Sequence, residues 1–449
     1  MAFSLTVKEA AERLGVSPAR VYQLVQSGAL AAERVGNQLI IDMRSVEARL
    51  ENKPATGRPA RKAPEDTAYF MLMNGEHEVL EFSYSMSADR FVSVSEIKDA
   101  SRAPLGVVSP RGKSASRAAL SQWWAHRSIP VSRQDVDEKL RELGLAGTAQ
   151  IPFESLGLSL SDQYWIRPDG MSVSWRDINF FQNDFPGMSV SLDKASLDWL
   201  ANVGLDSPDN TSDGELPKKW IRQDGVPTLV KGGGPLGQEP YNEVVACALY
   251  RRLLDPSEYV TYEQVDSPRG ALSCCADFVG PGEEFIPAFY VLQIKRKPNH
   301  FNEFFHYIDC CASLGVDDVA KLLEKMIVCD DILANHDRHW RNFGLVRNVD
   351  TLEYRPAPLF DNGSSLWCNV DEAVLLRGDF PFSTKPFYED PKRQLRLVND
   401  FSWLDLSALD GFADEARDIL MGNPALERRL DAICRGIQLR IDRLARLVS

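Results

Sequence analysis

The apolar and polar positions of the first fifty residues fall into two helix-length runs followed by two short extended ones. Thr6 precedes the first run, Val7–Leu14, and Glu9 completes a capping box in which the two side chains satisfy the exposed N–H groups of the first turn. Gly15 ends it. Ser17-Pro18 then supplies an N-cap and a proline at the first helical position, and the second helix runs to about Gln26 before Gly28 stops it. Ala31–Val35 and Leu39–Ile41 flank Gly36-Asn37, which reads as a tight hairpin. Helix, turn, helix and wing in this order make a helix-turn-helix layout.

Lys53–Ala63 lacks large apolar residues and is rich in Pro and basic side chains, the composition of a flexible linker that also touches phosphates. From Tyr69 to about Gly170, short apolar runs and one helix carrying Trp123-Trp124 predict a β-rich layer with helices. The tryptophan pair is expected in the core. Residues 171–300 read as strands around one strong helix, Pro240–Leu254. From Asp317 onward the chain reads as mostly helical, with the helix Val319–Leu333 and an amphipathic tail from Glu415 to Leu447. No internal repeat is visible. The expected organisation is 1–52 winged helix-turn-helix, 53–67 linker, 68–300 amino-terminal region and first lobe, and 301–449 helical second lobe.

At 449 residues the chain is too long for one ordinary core. Its 44% apolar and 26% charged residues are values for a soluble globular protein. Neither a signal-peptide h-region nor a long apolar run is present, so a membrane partner is not expected. The eight cysteines include Cys274/Cys275 and Cys310/Cys311 and form no CxxC pair, which suits a reducing cytoplasm better than a disulfide framework or a zinc site. Charge is uneven. Residues 1–62 hold ten Lys/Arg against six Asp/Glu, a net of +4, and the remainder holds 41 against 58, a net of −17. Only the amino terminus is suited to a polyanion.

The chemistry concentrates in residues 330–366. Asp337 and Asn342 have the Asp-x4-Asn spacing of a kinase catalytic loop, in which the aspartate orients the substrate hydroxyl and the asparagine holds Mg²⁺. Alone that spacing is common by chance. Here it follows an apolar helix and precedes a hairpin of Phe343–Val346 and Leu352–Tyr354, which would bring a second metal-binding aspartate, Asp361, back beside Asn342. Upstream, Leu229-Val230-Lys231 is a short strand ending in lysine, and Glu243 lies on the following helix. A strand lysine paired with a helix glutamate holds the α- and β-phosphates in protein kinases. Glu239, one turn away, competes with Glu243 for that role. Thr211–Trp220 is the best candidate for a phosphate-covering loop, with Gly214 and Lys218 toward the nucleotide, although it has one glycine where G-x-G-x-x-G has three. Ala271–Val279 followed by Gly280-Pro281-Gly282 is the candidate adenine hinge. Cys274 and Cys275 read as buried core residues.

Asn-His-Asp-Arg-His-Trp-Arg-Asn-Phe-Gly followed by Ala-Pro-Leu-Phe-Asp-Asn-Gly-Ser-Ser-Leu strongly resembles the HipA family of bacterial serine/threonine kinase toxins, over about residues 70–440. Asp-Arg-His-x-x-Asn is also similar to the catalytic loop of phosphatidylinositol kinases. The HipA resemblance implies an α+β, two-lobed protein-kinase-like fold with a helical second lobe. It makes Asp337 the catalytic base, gives Asn342 and Asp361 to magnesium, has His339 support the loop, and matches Lys231 and Tyr241-Asn242-Glu243 to the ATP-binding parts. It further implies ATP and Mg²⁺ as cofactors, and an autophosphorylated residue at Ser212 or Thr211. It implies a protein substrate such as an aminoacyl-tRNA synthetase or another translation component. The amino-terminal pattern from Leu5 to Leu24 resembles the excisionase/MerR-like winged helix-turn-helix over residues 3–50. As a DNA reader it would use Ser17, Arg20, Tyr22 and Gln23 of the second helix and Arg34, Asn37 and Gln38 of the wing. A single copy of so modestly basic a module would bind DNA weakly unless the chain forms a homodimer. A module for protein contact or dimerisation is the alternative. For the body, the alternatives are a small-molecule or lipid kinase and a transcription regulator that senses nucleotide.

Overall fold

The computed structural model describes residues 4–26, 28–35, 38–51, 64, 66–109, 111–129, 140–141, 144–186, 188–189, 207–211, 216–267 and 270–448. The chain divides into two compact units, Met1–Ala63 and Pro64–Ser449.

The first unit runs β1 (Ser4–Thr6), α1 (Val7–Leu14), α2 (Pro18–Gln26), β2 (Ala32–Val35), β3 (Gln38–Asp42) and α3 (Met43–Glu51). Its antiparallel sheet has the order β1-β3-β2. The capping box forms as the sequence suggests: Thr6 Oγ1 accepts from the Glu9 N–H at 3.3 Å, and Glu9 Oε2 accepts from the Thr6 N–H at 2.8 Å. Gly15 caps α1 in the left-handed region at φ +67°, which costs a glycine little. Ala10, Ala11, Val21, Leu24, Leu30, Ile41 and Val46 make the core. Two elements escaped the sequence reading. β1 is too short to show an alternation, and α3 follows β3 directly with no glycine or proline to mark the change. The Gly36-Asn37 turn lies outside the described residues.

In the second unit, β4 (Thr67–Asn74), β5 (His77–Ser85), β6 (Arg90–Ile97) and β7 (Tyr164–Pro168) form a sheet of order β6-β5-β4-β7. The helix α4 (Arg117–Ala125) buries Trp123 and Trp124 against it. A second sheet, β10-β11-β9-β8, is built from β8 (Lys218–Gln223), β9 (Val226–Lys231), β10 (Glu263–Ser267) and β11 (Gly270–Ala276), with α5 (Glu239–Leu253) between β9 and β10 in sequence. A third joins β12 (Glu283–Pro287), β13 (Gly344–Asn348) and β14 (Tyr354–Pro356). Helices follow: α6 (Glu303–Ala312), α7 (Val319–Leu333), α8 (Phe412–Leu420) and α9 (Leu430–Val448). One apolar core passes from Phe82 and Trp124 through Val245 and Leu249 of α5 and Ile327 and Leu333 of α7 to Ile433 and Ile437 of α9.

Two expectations shift, and one is resolved further: the amphipathic tail expected from Glu415 to Leu447 consists of two helices, α8 and α9. Gly422 and Pro424 interrupt it, the proline lacking the N–H a continuing helix needs, and Asn423 caps the short turn that follows. The hairpin after the catalytic loop pairs Leu345–Arg347 with Tyr354–Pro356, so the second strand begins where Leu352–Tyr354 was expected to end. Leu352 itself sits in the turn with φ +61°. The strand expected over Ala271–Val279 stops at Ala276. Within the third sheet Arg347 of β13 and Glu284 of β12 form a buried ion pair, and both partners tie that sheet to the first. Asn74 donates to Glu284 at 2.8 Å, and Arg347 donates to the Tyr164 hydroxyl at 2.8 Å. Among the described residues no helix is long and apolar enough to cross a membrane.

Candidate active site

The loop carrying Asp337 and Asn342 is organised from below by one arginine. α7 ends at Ala334, whose left-handed φ of +49° turns the chain sharply. Arg338, four residues on, is fully buried. It grips both carboxylate oxygens of Asp330 on α7 at 2.9 Å, and donates to the Asn342 carbonyl at 2.9 Å, the Phe360 carbonyl at 2.5 Å and Asn362 Oδ1 at 2.7 Å. A planar fork with five N–H groups suits such a junction, which ties helix, catalytic loop and the Asp361 segment into one body. Asn335 Nδ2 donates to Asp330 at 3.0 Å, and Asn335 Oδ1 receives the Asp337 N–H at 3.0 Å. Asn342 Nδ2 donates to the Asp337 carbonyl at 2.9 Å. That leaves the Asn342 amide oxygen as the atom that could hold a metal.

Lys231, at the end of β9, extends its Nζ to Glu243 Oε1 at 3.0 Å, Asp361 Oδ1 at 2.7 Å and the Tyr262 hydroxyl at 3.2 Å. Glu243 therefore takes the lysine. Glu239 instead accepts the Gly234 N–H at 3.0 Å, bracing the glycine turn after β9. The buried Glu243 also receives the Asn362 N–H at 2.8 Å. α5 is further tied to this segment by Asn242, which donates to the carbonyls of Gly363 at 2.7 Å and Ser365 at 2.9 Å. Burial would push the Asp361 carboxyl up, but the ammonium groups of Lys231 and Lys218 outweigh it and hold Asp361 well below the usual carboxylate range. Burial moves Glu243 the other way, above its ordinary value, against the pull of Lys231 and with the push of Asp361. Burial would lower the Lys231 ammonium, yet Asp361 and Glu243 raise it well above the usual lysine value. Asp361 has φ +60°, a conformation few residues other than Asn, Asp and Gly adopt readily.

These groups face a cleft of about 240 Å³, lined by Lys218, Lys231, Asn342 and Asp361 at one end and by Val260, Cys275, Phe278 and Phe360 along an apolar wall. Asp337 reaches it through Asn342. Lys218 stands opposite Lys231 in the β8–β9 register. The stretch Cys275–Val279, within the segment expected as the hinge, lines the cleft, and Gly280-Pro281-Gly282 forms the turn into β12. Trp123, expected in the core, is buried and also lines the cleft. Ser212 and Gly214 lie outside the described residues. For Thr211 the backbone is described, as the end of the short helix Pro208–Thr211. All eight cysteines are free thiols, and burial pushes Cys275 up to about 12.

His339 Nδ1 accepts the Arg341 N–H at 3.2 Å, and its Nε2 lies 4.0 Å from Asp337 Oδ2. Two residues on this site carried no mark in the sequence reading. Arg338 was quoted within the motif without a role. Lys385, whose Nζ donates to Asp337 Oδ1 at 2.8 Å, comes from a segment 48 positions downstream with no local pattern to single it out.

In the first unit Ser17, just before α2, and Tyr22 and Gln23 on it are exposed, and Arg34 is exposed on β2. Arg20 lies on α2 with its side chain outside the described residues, as is that of Gln38 on β3, and Asn37 is not described.

Residues 4–54 match the helix-turn-helix domain family. The serine/threonine-protein kinase CtkA of Helicobacter pylori is 45% identical over 83 residues, 18% of this chain, and the chain spans about a quarter (26%) of that relative's length. The structure of the Shewanella oneidensis MR-1 toxin–antitoxin system HipA, HipB and its operator DNA aligns with a TM-score of 0.51 at 15% identity, covering 83% of this chain and 97% of that chain. The mixed helix-and-sheet body thus has the fold of HipA, preceded by a helix-turn-helix domain, as the sequence resemblance implied.

Proposed function

We propose that this chain is an ATP- and Mg²⁺-dependent serine/threonine protein kinase of the HipA toxin type. The observation that carries the reading is the Lys231 ammonium shared between Glu243 at 3.0 Å and Asp361 at 2.7 Å, in a cleft that Asn342 also lines. Lys231, oriented by Glu243, binds the α- and β-phosphates, and Lys218 adds a second positive charge. The Asp361 carboxylate and the Asn342 amide oxygen are hard oxygen donors that would hold Mg²⁺. Bound there, Mg²⁺ supplies charge neutralisation on the β- and γ-phosphates. Asp337 accepts the proton of the acceptor hydroxyl as its oxygen bonds to the γ-phosphorus, and the bridging β–γ oxygen leaves with its electron pair on ADP. The buried Arg338 keeps Asp337, Asn342 and Asp361 in register throughout.

The acceptors proposed are Ser212 or Thr211 of the chain itself and a bacterial protein, a translation component such as an aminoacyl-tRNA synthetase, whose modification arrests growth. Exposed Ser17, Tyr22, Gln23 and Arg34 support DNA binding and autoregulation by the first unit. The direct test incubates wild type and Asp337→Asn with γ-labelled ATP and Mg²⁺ and follows labelled protein, with mass spectrometry of residues 205–222. Equal labelling of the two proteins would sink the kinase reading.

A further inference from the structure

The loop that delivers Lys385 is braced more heavily than a surface ion pair explains. Gln394, buried on the short helix Pro391–Leu395, accepts the N–H groups of Phe387 at 3.2 Å and Tyr388 at 3.0 Å, and donates to the Lys385 carbonyl. Thr384 closes the loop on itself, its Oγ1 donating to the Tyr388 carbonyl at 2.6 Å and its N–H to the Glu389 carbonyl at 2.9 Å. The Phe387 ring is wedged edge-on against Phe304 of α6 at 5.1 Å and against Trp340 of the catalytic loop at 5.4 Å. Arg393 covers the Tyr388 ring at 4.4 Å. The result is a rigid mount, packed on the catalytic loop, that holds one half-exposed ammonium 2.8 Å from Asp337 Oδ1. An exposed ion pair of this kind contributes little to stability, so stability alone does not account for the mount.

The charge layout suggests what it does. Lys231 and Lys218 stand on the nucleotide side of the cleft, next to Asp361. The acceptor side is marked by Asp337, where the hydroxyl must come. Phosphoryl transfer spreads negative charge over the three equatorial oxygens of the moving group and draws a proton toward the base. A fixed cation there stabilises the first and orients the second.

We propose that Lys385 is the acceptor-side cation of this site: its ammonium contacts the transferring phosphoryl group and, through Asp337 Oδ1, aims Oδ2 at the acceptor hydroxyl. The proposal rests on the kinase reading. As the hydroxyl oxygen bonds to the γ-phosphorus, its proton passes to Asp337, the β–γ bridging bond breaks onto ADP, and Lys385 keeps its own proton throughout.

The test compares full-length wild type, Lys385→Met, which keeps the aliphatic stem, and Lys385→Arg, which keeps the charge. Lys385→Met should lower kcat about 10²-fold, the usual effect of removing one preorganised donor, with KM for ATP unchanged because Lys231 and Lys218 are intact. Lys385→Arg should recover most of the loss. Calorimetry should show Mg·ADP binding equally to all three, and Mg·ADP with aluminium fluoride, which mimics the moving phosphoryl group, binding more weakly to Lys385→Met alone. An active wild type with unchanged or raised kcat in Lys385→Met overturns the proposal. So does a loss that Arg fails to restore and that raises KM for ATP in parallel, the pattern of a merely structural loop. A wild type that transfers no phosphate overturns the kinase reading itself, a result distinct from both.

Discussion

Arg338 has no exposed surface, so its charge is tolerated only because Asp330 meets it with two bonds of 2.9 Å and three further acceptors take its remaining N–H groups. Arg338→Met should therefore cost about 3–5 kcal/mol, since it strands the Asp330 carboxylate in a dry interior. Adding Asp330→Asn should return a substantial part of that loss. Chemical denaturation of the two single variants and the double reads this directly, and additive losses would show that the pair is not coupled. Asp361 gives a pH prediction. A carboxyl held low in the folded protein contributes stability that is present above its unfolded value, about 3.9, and is lost as pH falls toward the folded one. Glu243, raised in part by Asp361, has the opposite sign, but its window lies above its unfolded value of about 4.3 and so outside the range compared. Below about pH 4 the wild type should lose stability more steeply than Asp361→Asn, and parallel curves would mean that Lys231 does not hold the carboxylate. At this scale the sequence was legible where chemistry is written in short spacings. Asp337 and Asn342 sit five positions apart and Lys231 and Glu243 twelve, and in the fold each pair meets. Lys385 was not legible, because its partner is chosen by a tertiary turn.

Elements were readable where a local signal ended them. Thr6, Gly15 and Pro18 punctuate α1 and α2, and those helices have the bounds the pattern suggested. The tail's amphipathic period, readable from Glu415 to Leu447, continues on both sides of the Gly422–Pro424 break that divides it into α8 and α9. The Asn-Phe-Gly part of the motif has an element-scale reason that spacing alone does not reveal. Gly344 pairs with Pro287 where β13 meets β12, and a Cβ there would overlap the Ile286 carbonyl oxygen and crowd the Ala288 nitrogen. Both obstacles are backbone, which has little room to yield. Gly344→Ala should cost about 1–3 kcal/mol, the usual range for overpacking. Because the Ala288 N–H donates to the Phe343 carbonyl at 2.9 Å, the displaced strand should also disturb the catalytic loop. Urea unfolding and labelled-ATP turnover on the same protein check both consequences, and full stability with full turnover contradicts the argument.

At the scale of the whole molecule, the two units carry opposite charge. The first is +4 and the second −17, and every residue lining the cleft belongs to the second. Deleting residues 1–63 should therefore leave phosphotransfer unchanged in kcat and KM while abolishing retention of duplex DNA. The charge difference makes the complementary prediction sharper. DNA repels an acidic body within a Debye length of its surface, about 10 Å at 0.1 M salt, so the body opposes what the first unit attracts. Phosphate contacts release counterions, and each one lost flattens the dependence of affinity on salt. Arg34→Ala, which removes an exposed wing cation, should weaken binding to all sequences about equally and reduce the salt slope by about one. Tyr22, about half exposed on α2, faces outward from the helix expected in the major groove. Its replacement by Ala should leave the slope alone and change preference among sequences instead. Fluorescence anisotropy of labelled duplexes over a salt series separates the two, and identical effects from both substitutions would mean that the first unit does not read DNA through α2 and the wing.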